Sequence, residues 1–377
     1  MAGLAFGLSP LFISEYKNKL RLAMNVLFIL GNGFDINLGL KTGYQDFYEY
    51  YCMDVEDESQ QISDFKKSII DSRYDFWSDL EIGLGQNTNN YLSVDDFDEV
   101  TDSILSSLSS YLEKIQSDFS NFDINIEKFL DDLSYPEKYL KLTHKEKLEE
   151  FKKVFPQHVW NIDIVTFNYT NVVEQILKDN QSPVIGQHSD SRTKDGIKHV
   201  LRNIIHIHGH VDDGMILGVN DTSQISNSSF HDNLDIEESL IKHKHNEAKG
   251  ENLDVRFSNI IDTVDLIVAF GLSFGDTDRI WWEKIGARLE NNNTRLIIFG
   301  VGNNINRVQK VKVERDVRKI KDNFLSQTGL SKDIQESIAN RIYVAVNTKM
   351  FQGFASKPKD NKFADKFGNA KIELANA

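Results

Sequence analysis

A short apolar strand that runs directly into a glycine turn places the strongest constraint on how this chain folds. The apolar run Val26–Leu30 ends in Gly31-Asn32-Gly33, and a short helical pattern follows. In parallel α/β proteins, a buried strand that enters such a turn presents backbone N–H groups to a phosphate. Gly31 and Gly33 permit a tight turn and a close approach of a ligand. The third glycine of the dinucleotide fingerprint is missing, so a strand-to-helix turn without a ligand is an equal alternative.

Two polar features near this turn carry further expectations. Asp35 lies where a helix N-cap is expected, and capping is the preferred interpretation because a carboxylate repels a pyrophosphate. The stretch TGYQ at 42–45 fits a capping box, which predicts that another helix begins near Gly43. Residues 37–41 are then a short irregular link close to any bound nucleotide.

Composition and charge narrow the classes of function. The chain has 377 residues, a formal net charge of -14 and a single cysteine, Cys52. Nucleic-acid binding needs a basic face, whereas the basic run 310–321 is interrupted by acids and fits a solvated helix face. One cysteine allows no internal disulfide and no cysteine-based zinc site, which favours a reducing, cytoplasmic compartment. No apolar stretch approaches about 18 residues, so no membrane span is predicted.

Apolar runs that alternate with helical patterns predict an α/β fold, with a Rossmann-like, mostly parallel sheet flanked by helices. The predicted strands are 25–30, 162–167, 203–207, 215–218, 264–270, 295–300 and 341–346.

The spacing of these strands predicts how the chain is divided. Residues 48–158 show helical periodicity and are too long for an ordinary crossover, so they are expected to form a helical insertion domain. The nucleotide-binding domain then comprises 24–47 and 159–350. Residues 1–23 are expected to be a peripheral extension that the core fold does not need. Residues 351–377 have the composition of a charged, disordered tail.

Polar residues follow two further predicted strands, at the edge where parallel sheets bind ligands. Asn168 suits holding a ribose hydroxyl or a water, unless it or Thr170 simply caps the helix from Val172. Ser273 suits a phosphate and Asp276 a ribose hydroxyl, although both are equally ordinary turn residues.

A third strand ends in histidines at alternating positions: His206, His208 and His210. Their spacing places them on one face, as metal ligands would be, but no cysteine or acid lies in the cluster before Asp212. A histidine followed by glycine at a strand end is better interpreted as a general base near neutral pH, which favours His208.

The segments described so far resemble a known family when they are taken together. LGNGFD at 30–35, GLKTGYQDF at 39–47, FNYT at 167–170, HIHG at 206–209 and FGLS at 270–273 resemble the bacteriophage abortive-infection AbiH family in residues and order. That family in turn resembles a divergent branch of the sirtuin-like NAD-binding fold. The motifs cover the sheet domain and say little about the helical insertion or the tail.

The resemblance implies which residues form the site. Asn168 and His208 match the catalytic residues of sirtuins. Asn32 and Asp35 replace an alanine and a serine of the sirtuin glycine loop, and Thr170 replaces an aspartate. The residues predicted to bind the cofactor are Gly31, Asn32, Gly33, Phe34, Asp35, Thr42, Thr166, Gly271, Ser273 and Asp276.

The function that the resemblance implies is an antiphage abortive-infection effector that hydrolyses NAD+ to ADP-ribose and nicotinamide without a metal. Sirtuin deacylation is disfavoured, because a four-cysteine zinc module cannot form here. A non-catalytic sensor of NAD or ADP-ribose is the alternative, and Thr170 favours it. A metal-dependent hydrolase built on the three histidines is a third interpretation. The helical insertion is expected to contact a second copy or a defence-system partner, with no nucleic-acid or membrane partner.

Overall fold

The structure, a computed structural model, shows a mixed α/β fold with a mostly parallel sheet flanked by helices. It describes residues 23–53, 58–71, 80–155, 159–189, 196–250, 252–303 and 310–356. Of the predicted extension 1–23 and tail 351–377, only Ala23 and residues 351–356 are among them, and the remainder lies outside the described residues.

Seven strands form the main sheet in the order β4-β5-β3-β1-β6-β7-β8, and only the β4–β5 pair is antiparallel. The mostly parallel α/β sheet predicted from the sequence is therefore confirmed. Two-residue strands β2 and β9 pair separately. The strands are β1 (Ala23–Leu30), β2 (Asp123–Ile124), β3 (Val159–Thr166), β4 (Val184–His188), β5 (Ile197–His206), β6 (Leu266–Phe270), β7 (Arg295–Gly300), β8 (Ile342–Val346) and β9 (Ala355–Ser356).

One predicted strand, 215–218, is wrong. These residues lie in a loop, and only the next residue, Val219, makes an isolated bridge to Ile241. The apolar run arises because Leu217 packs among helices rather than in the sheet. A buried loop and a buried strand give the same apolar run over four residues.

The described α-helices are α1 (Gly33–Asn37), α2 (Tyr44–Met53), α3 (Gln60–Asp71), α4 (Leu80–Asn87), α5 (Val94–Phe119), α6 (Ile126–Ser134), α7 (Leu142–Lys153), α8 (Val172–Leu177), α9 (Leu234–Leu240), α10 (Lys242–Lys249), α11 (Leu253–Thr263), α12 (Arg279–Asn291), α13 (Lys310–Gln327) and α14 (Lys332–Ile338). Among these helices, none combines the length and apolar character that crossing a bilayer requires.

Helices cover both faces of the sheet, as β1 shows. Phe28 and Leu30 pack into one hydrophobic core, whereas Leu27 and Ile29 pack into the core on the opposite face. A parallel strand that is buried on both faces needs an uninterrupted apolar run, which is the pattern that Val26–Leu30 shows in the sequence.

The segment between β1 and β3 is mostly helical in its described residues and contributes to two cores. The long helix α5 begins with a capping box between Ser93 and Asp96 and packs against α2 and α3 in a third hydrophobic core. In contrast, Phe129 of α6 and Leu148 of α7 pack into a core of the sheet. The segment therefore reaches the sheet directly, and the proposed domain boundaries stay a prediction.

Candidate functional site

A cavity of about 350 Å³ lies where β1, β3, β5 and β6 end. Its volume falls in the range of roughly 300–1,000 Å³ that small-molecule sites occupy. The strand order places β1 between β3 and β6, and ligands of parallel sheets bind where the chain departs in opposite directions. The sequence-predicted residues that line the cavity are Gly31, Asn32, Gly33, Asp35, Thr42, Asn168, His208, Gly271 and Ser273.

Three predicted site residues do not line this cavity. Phe34 is fully buried in the hydrophobic core, and Asp276 is exposed in the turn before α12. Thr166 is buried at the end of β3, where its Oγ1 accepts a hydrogen bond from the backbone N–H of Asn168 at 3.1 Å. Thr166 therefore helps to fix the backbone of Asn168 without lining the cavity itself.

The glycine turn after β1 packs against the loop after β6. The N–H of Gly31 donates to the carbonyl of Phe270 at 3.0 Å, and the N–H of Gly33 donates to the carbonyl of Gly271 at 2.9 Å. A Cβ atom on Gly33 would lie 2.5 Å from the Gly271 Cα, closer than real Cβ atoms come to other atoms. The glycines thus allow two backbones to touch, and a phosphate at this turn would need other donors.

Replacing Gly33 by alanine is expected to destabilise the protein by about 1–3 kcal/mol, because the added methyl overlaps backbone that no side-chain rotation can move. Gly43→Ala is the matched control. Its Cβ would meet only the Asp46 carboxylate, at an ordinary 3.4 Å, so a loss below about 1 kcal/mol is expected. Urea unfolding of both variants measures the difference, and equal losses would contradict the close-approach role of Gly33.

Asp35 holds two residues of the neighbouring strand end rather than capping a helix. Its Oδ1 accepts from Nδ2 of Asn168 at 2.9 Å, and its Oδ2 accepts from the Thr170 hydroxyl at 2.6 Å. The predicted N-cap role is wrong, since α1 already begins at Gly33 and Asp35 lies within it. Burial raises the pKa of Asp35 to about 6, although the bonds from Thr170 and Asn168 act in the opposite direction.

These contacts fix the side-chain amide of Asn168. A carboxylate only accepts hydrogen bonds, so the amide nitrogen of Asn168 must face Asp35 and the amide oxygen must point away from it. Its Oδ1 is buried and accepts no hydrogen bond from the described residues. Asn168, which lines the cavity, therefore keeps an acceptor without a partner among the described residues, and a hydroxyl or a water is the group that would satisfy it.

The second predicted helix start is confirmed, with a different role for its first polar residue. Helix α2 begins at Tyr44, next to the predicted Gly43. The Thr42 hydroxyl donates to Oδ1 of Asn32 at 2.5 Å, and Nδ2 of Asn32 donates to the Thr42 carbonyl at 2.8 Å. Thr42 therefore ties the loop before α2 to the glycine turn.

The three predicted histidines have separate surroundings. His206 lies outside the cavity wall, with Nδ1 3.1 Å from the Asn168 carbonyl and Nε2 2.9 Å from a Glu174 carboxylate oxygen. The ring of His210 contacts that of His206 in a tilted arrangement, with 4.9 Å between ring centres, whereas His208 lines the cavity. In the part of the chain that the structure describes, no group of three or more His, Cys, Asp or Glu could hold a metal.

His208 is 3% exposed and lies against a carboxylate. Its Nε2 is 3.0 Å from Oδ1 of Asp278, a charge contact that is not aligned as a hydrogen bond. Burial alone would raise the pKa of Asp278, but the ammonium of Lys242, and His208 when its imidazole is protonated, hold it well below its usual range. The imidazole of His208 is thus placed beside an ionised carboxylate at the cavity wall.

Behind this pair lies a buried charge cluster that the sequence analysis missed. Nζ of Lys242 lies 2.7 Å from Oε2 of Glu81 and 2.9 Å from Oδ1 of Asp278. The Tyr169 hydroxyl donates to Oε1 of Glu81 at 3.0 Å. The sequence contained a signal for Asp278, since it belongs to the same polar turn as the predicted site residue Asp276. It contained no signal for Glu81 and Lys242, because helix packing alone brings α4 and α10 to the site.

These features define an α/β protein with a ligand cavity at the carboxyl edge of a mostly parallel sheet. The chain belongs to the bacteriophage abortive infection AbiH family, whose model matches residues 27–300. The predicted family, and with it a role in antiphage abortive infection, is therefore confirmed. No curated protein matches the chain. The sirtuin likeness and the NAD ligand stay predictions.

Proposed function

We propose that this abortive-infection protein hydrolyses NAD+ to ADP-ribose and nicotinamide. One observation carries the proposal: Asn168 and His208, at the ends of the paired strands β3 and β5, line a single cavity with the loops after β1 and β6. An amide acceptor can orient a ribose hydroxyl or a water, and an imidazole can take the proton of that water, so the pair suits hydrolysis of the bond between nicotinamide and ribose.

The bond between nicotinamide and the ribose breaks through a state with oxocarbenium character. Oδ1 of Asn168 accepts from a ribose hydroxyl or from the attacking water, which holds the reacting atoms in line. His208 accepts the proton of that water as a general base. Asp278 lies against Nε2 of His208, so the other ring nitrogen is left for the water.

Asp35 positions Asn168 in this scheme, and Asp35→Asn is expected to separate activity from stability. The neutral amide removes a buried carboxylate whose pKa is raised to about 6, so the variant should melt at the wild-type temperature or above it at pH 7.5. NAD+ cleavage should fall about 10–100-fold, because one acceptor oxygen is then left for the two donors, Asn168 and Thr170, and the Asn168 amide is held less firmly.

The pH dependence of stability provides a second measurement on Asp35→Asn. An acid with a raised folded pKa stabilises the fold when protonated, and this contribution is lost as pH rises from about 4 to about 6. The variant should therefore gain stability over the wild type across this interval. A variant that cleaves NAD+ at the wild-type rate would contradict the positioning role.

A non-catalytic sensor of NAD or ADP-ribose is a second candidate, favoured by two observations. Thr170 stands where sirtuins have an aspartate, and its hydroxyl donates a hydrogen bond to Asp35. Glu81 on α4 belongs to the charge cluster and lines the cavity. A ligand in the cavity would therefore contact the helical segment directly through Glu81. In either candidate, we propose that this segment contacts a second copy or a defence-system partner.

Metabolite measurements in infected cells test the proposal. Cells that carry the wild-type chain should lose NAD+ and accumulate ADP-ribose after phage infection, as followed by mass spectrometry. Asn168→Ala should abolish this loss. Asn291→Ala, an exposed asparagine on α12, is the matched control and should keep it. Protection from phage with unchanged NAD+ would favour the sensor.

A further inference from the structure

The charge of the cavity wall indicates which part of a substrate it accepts. Three carboxylates line it, those of Asp35, Glu81 and Asp278, and among its described lining residues there is no lysine or arginine. Lys242, behind the wall, is the cation that contacts both Glu81 and Asp278. One buried cation thus faces three carboxylates, and this excess of negative charge favours a positively charged ligand in the cavity.

The glycine turn after β1 offers little to a phosphate. The N–H groups of Gly31 and Gly33 donate to the carbonyls of Phe270, the last residue of β6, and of Gly271. The Asn32 amide donates to the Thr42 carbonyl. Phosphates in proteins are held by free backbone N–H groups or by cationic side chains, and neither the N–H groups of Gly31 and Gly33 nor a lysine or arginine of the described cavity lining is there to hold one.

Aromatic rings give the cavity flat walls. Phe167 stacks on Trp282, with ring centres 5.5 Å apart and planes 18° apart. Phe274 adopts a φ of 55°, a left-handed conformation that is strained for an aromatic residue, in the loop that closes this side. Trp282 holds that loop by donating from Nε1 to the carbonyl of Gly275 at 2.9 Å. Such walls suit a flat heteroaromatic ring, and the carboxylates suit one that is positively charged.

We infer that the cavity selects the positively charged nicotinamide riboside end of its substrate and does not require the ADP half. This inference rests on the proposed function. Nicotinamide riboside would be cleaved with a specificity constant within about tenfold of that for NAD+. Water adds to the ribose C1′, the C–N bond breaks with its electron pair going to nicotinamide, and the proton of the water leaves through His208.

Calorimetric binding to the His208→Ala protein tests the inference without turnover. The probes are nicotinamide riboside, its neutral reduced form and ADP-ribose. Nicotinamide riboside should bind at least about tenfold more tightly than the reduced form, which has nearly the same shape but lacks the charge. It should also bind more tightly than ADP-ribose.

Two further substitutions in the His208→Ala protein test which carboxylate causes the preference for the charged ring. Asp278→Asn should shrink the preference for the charged ring several-fold, whereas Asp276→Asn, in the same turn but outside the cavity wall, should leave it unchanged. If Asp278→Asn does not fold, Asp35→Asn tests the same point. Equal binding of the charged and reduced forms, or tighter binding of ADP-ribose, would overturn the inference.

Failure of the inference is distinguishable from failure of the proposed function. A wild-type protein that releases nicotinamide from NAD+ but neither binds nor cleaves nicotinamide riboside refutes the inference alone. A protein that binds the charged nucleoside selectively and cleaves nothing refutes hydrolysis and supports the inference.

Discussion

Replacing His208 by alanine is expected to lower the rate of NAD+ cleavage by about 10²–10⁴-fold while NAD+ binding persists. The variant loses the general base but keeps the Asn168 acceptor and the aromatic walls of the cavity. Asn168→Ala should behave similarly, since it removes a group that positions water more than one that provides affinity. Release of nicotinamide, followed by chromatography, measures the rate, and calorimetry measures binding.

The neighbouring histidines serve as controls for His208→Ala. His206→Ala should reduce cleavage less, because His206 contacts the backbone of Asn168 from outside the cavity wall. His210→Ala should have the smallest effect of the three. Undiminished cleavage in the His208 variant would refute its assignment as the base.

Replacing Lys242 by methionine is expected to destabilise the fold by about 3–5 kcal/mol. Lys242 is buried and its ammonium contacts two carboxylates, so its removal leaves the buried Glu81 and the partly buried Asp278 charged and close together. Lys244→Met on the same helix is the matched control. Its exposed ion pair with Glu247, at 3.9 Å, should be worth less than about 1 kcal/mol. Chemical unfolding of both variants measures the difference.

The destabilisation of Lys242→Met should depend on pH. The pKa of Asp278 is depressed in the wild type, so its contribution to stability is present above its unfolded pKa and is lost as pH falls through the folded value. The gap between wild type and variant should therefore be widest near neutral pH and narrow on acidification, as the variant's carboxylates protonate. A gap that is small at pH 7, or that widens in acid, would contradict the buried-pair account.

The local sequence pattern of apolar runs followed by glycine or polar residues was sufficient to predict the sheet edge at which the cavity lies. A strand buried on both faces needs an apolar run, and a strand that turns into a helix beside another backbone needs glycine, so Val26–Leu30 and Gly33 have unambiguous physical roles. Asn168 and His208 were predicted because polar residues at the ends of parallel strands meet at one edge.

Long-range contacts account for what the sequence did not predict. Asp35 satisfies the local rule for an N-cap, yet its partners lie more than 130 residues away, at Asn168 and Thr170. Lys242 belongs to a helix with no motif, and its role arises only when α4 and the turn at Asp278 pack around it. A buried carboxylate or ammonium takes whichever partner the tertiary fold provides, and spacing along the chain does not reveal that partner.

Nicotinamide release from NAD+ by the purified protein tests the central claim most directly. Wild-type protein and the His208→Ala variant would be purified from cells before and after phage infection, and nicotinamide and ADP-ribose would be quantified. The account predicts that wild-type protein from infected cells forms the two products in equal amounts, with the His208 variant slower by at least about 100-fold. Absence of nicotinamide in every wild-type sample, or equal release by wild type and variant, would contradict it.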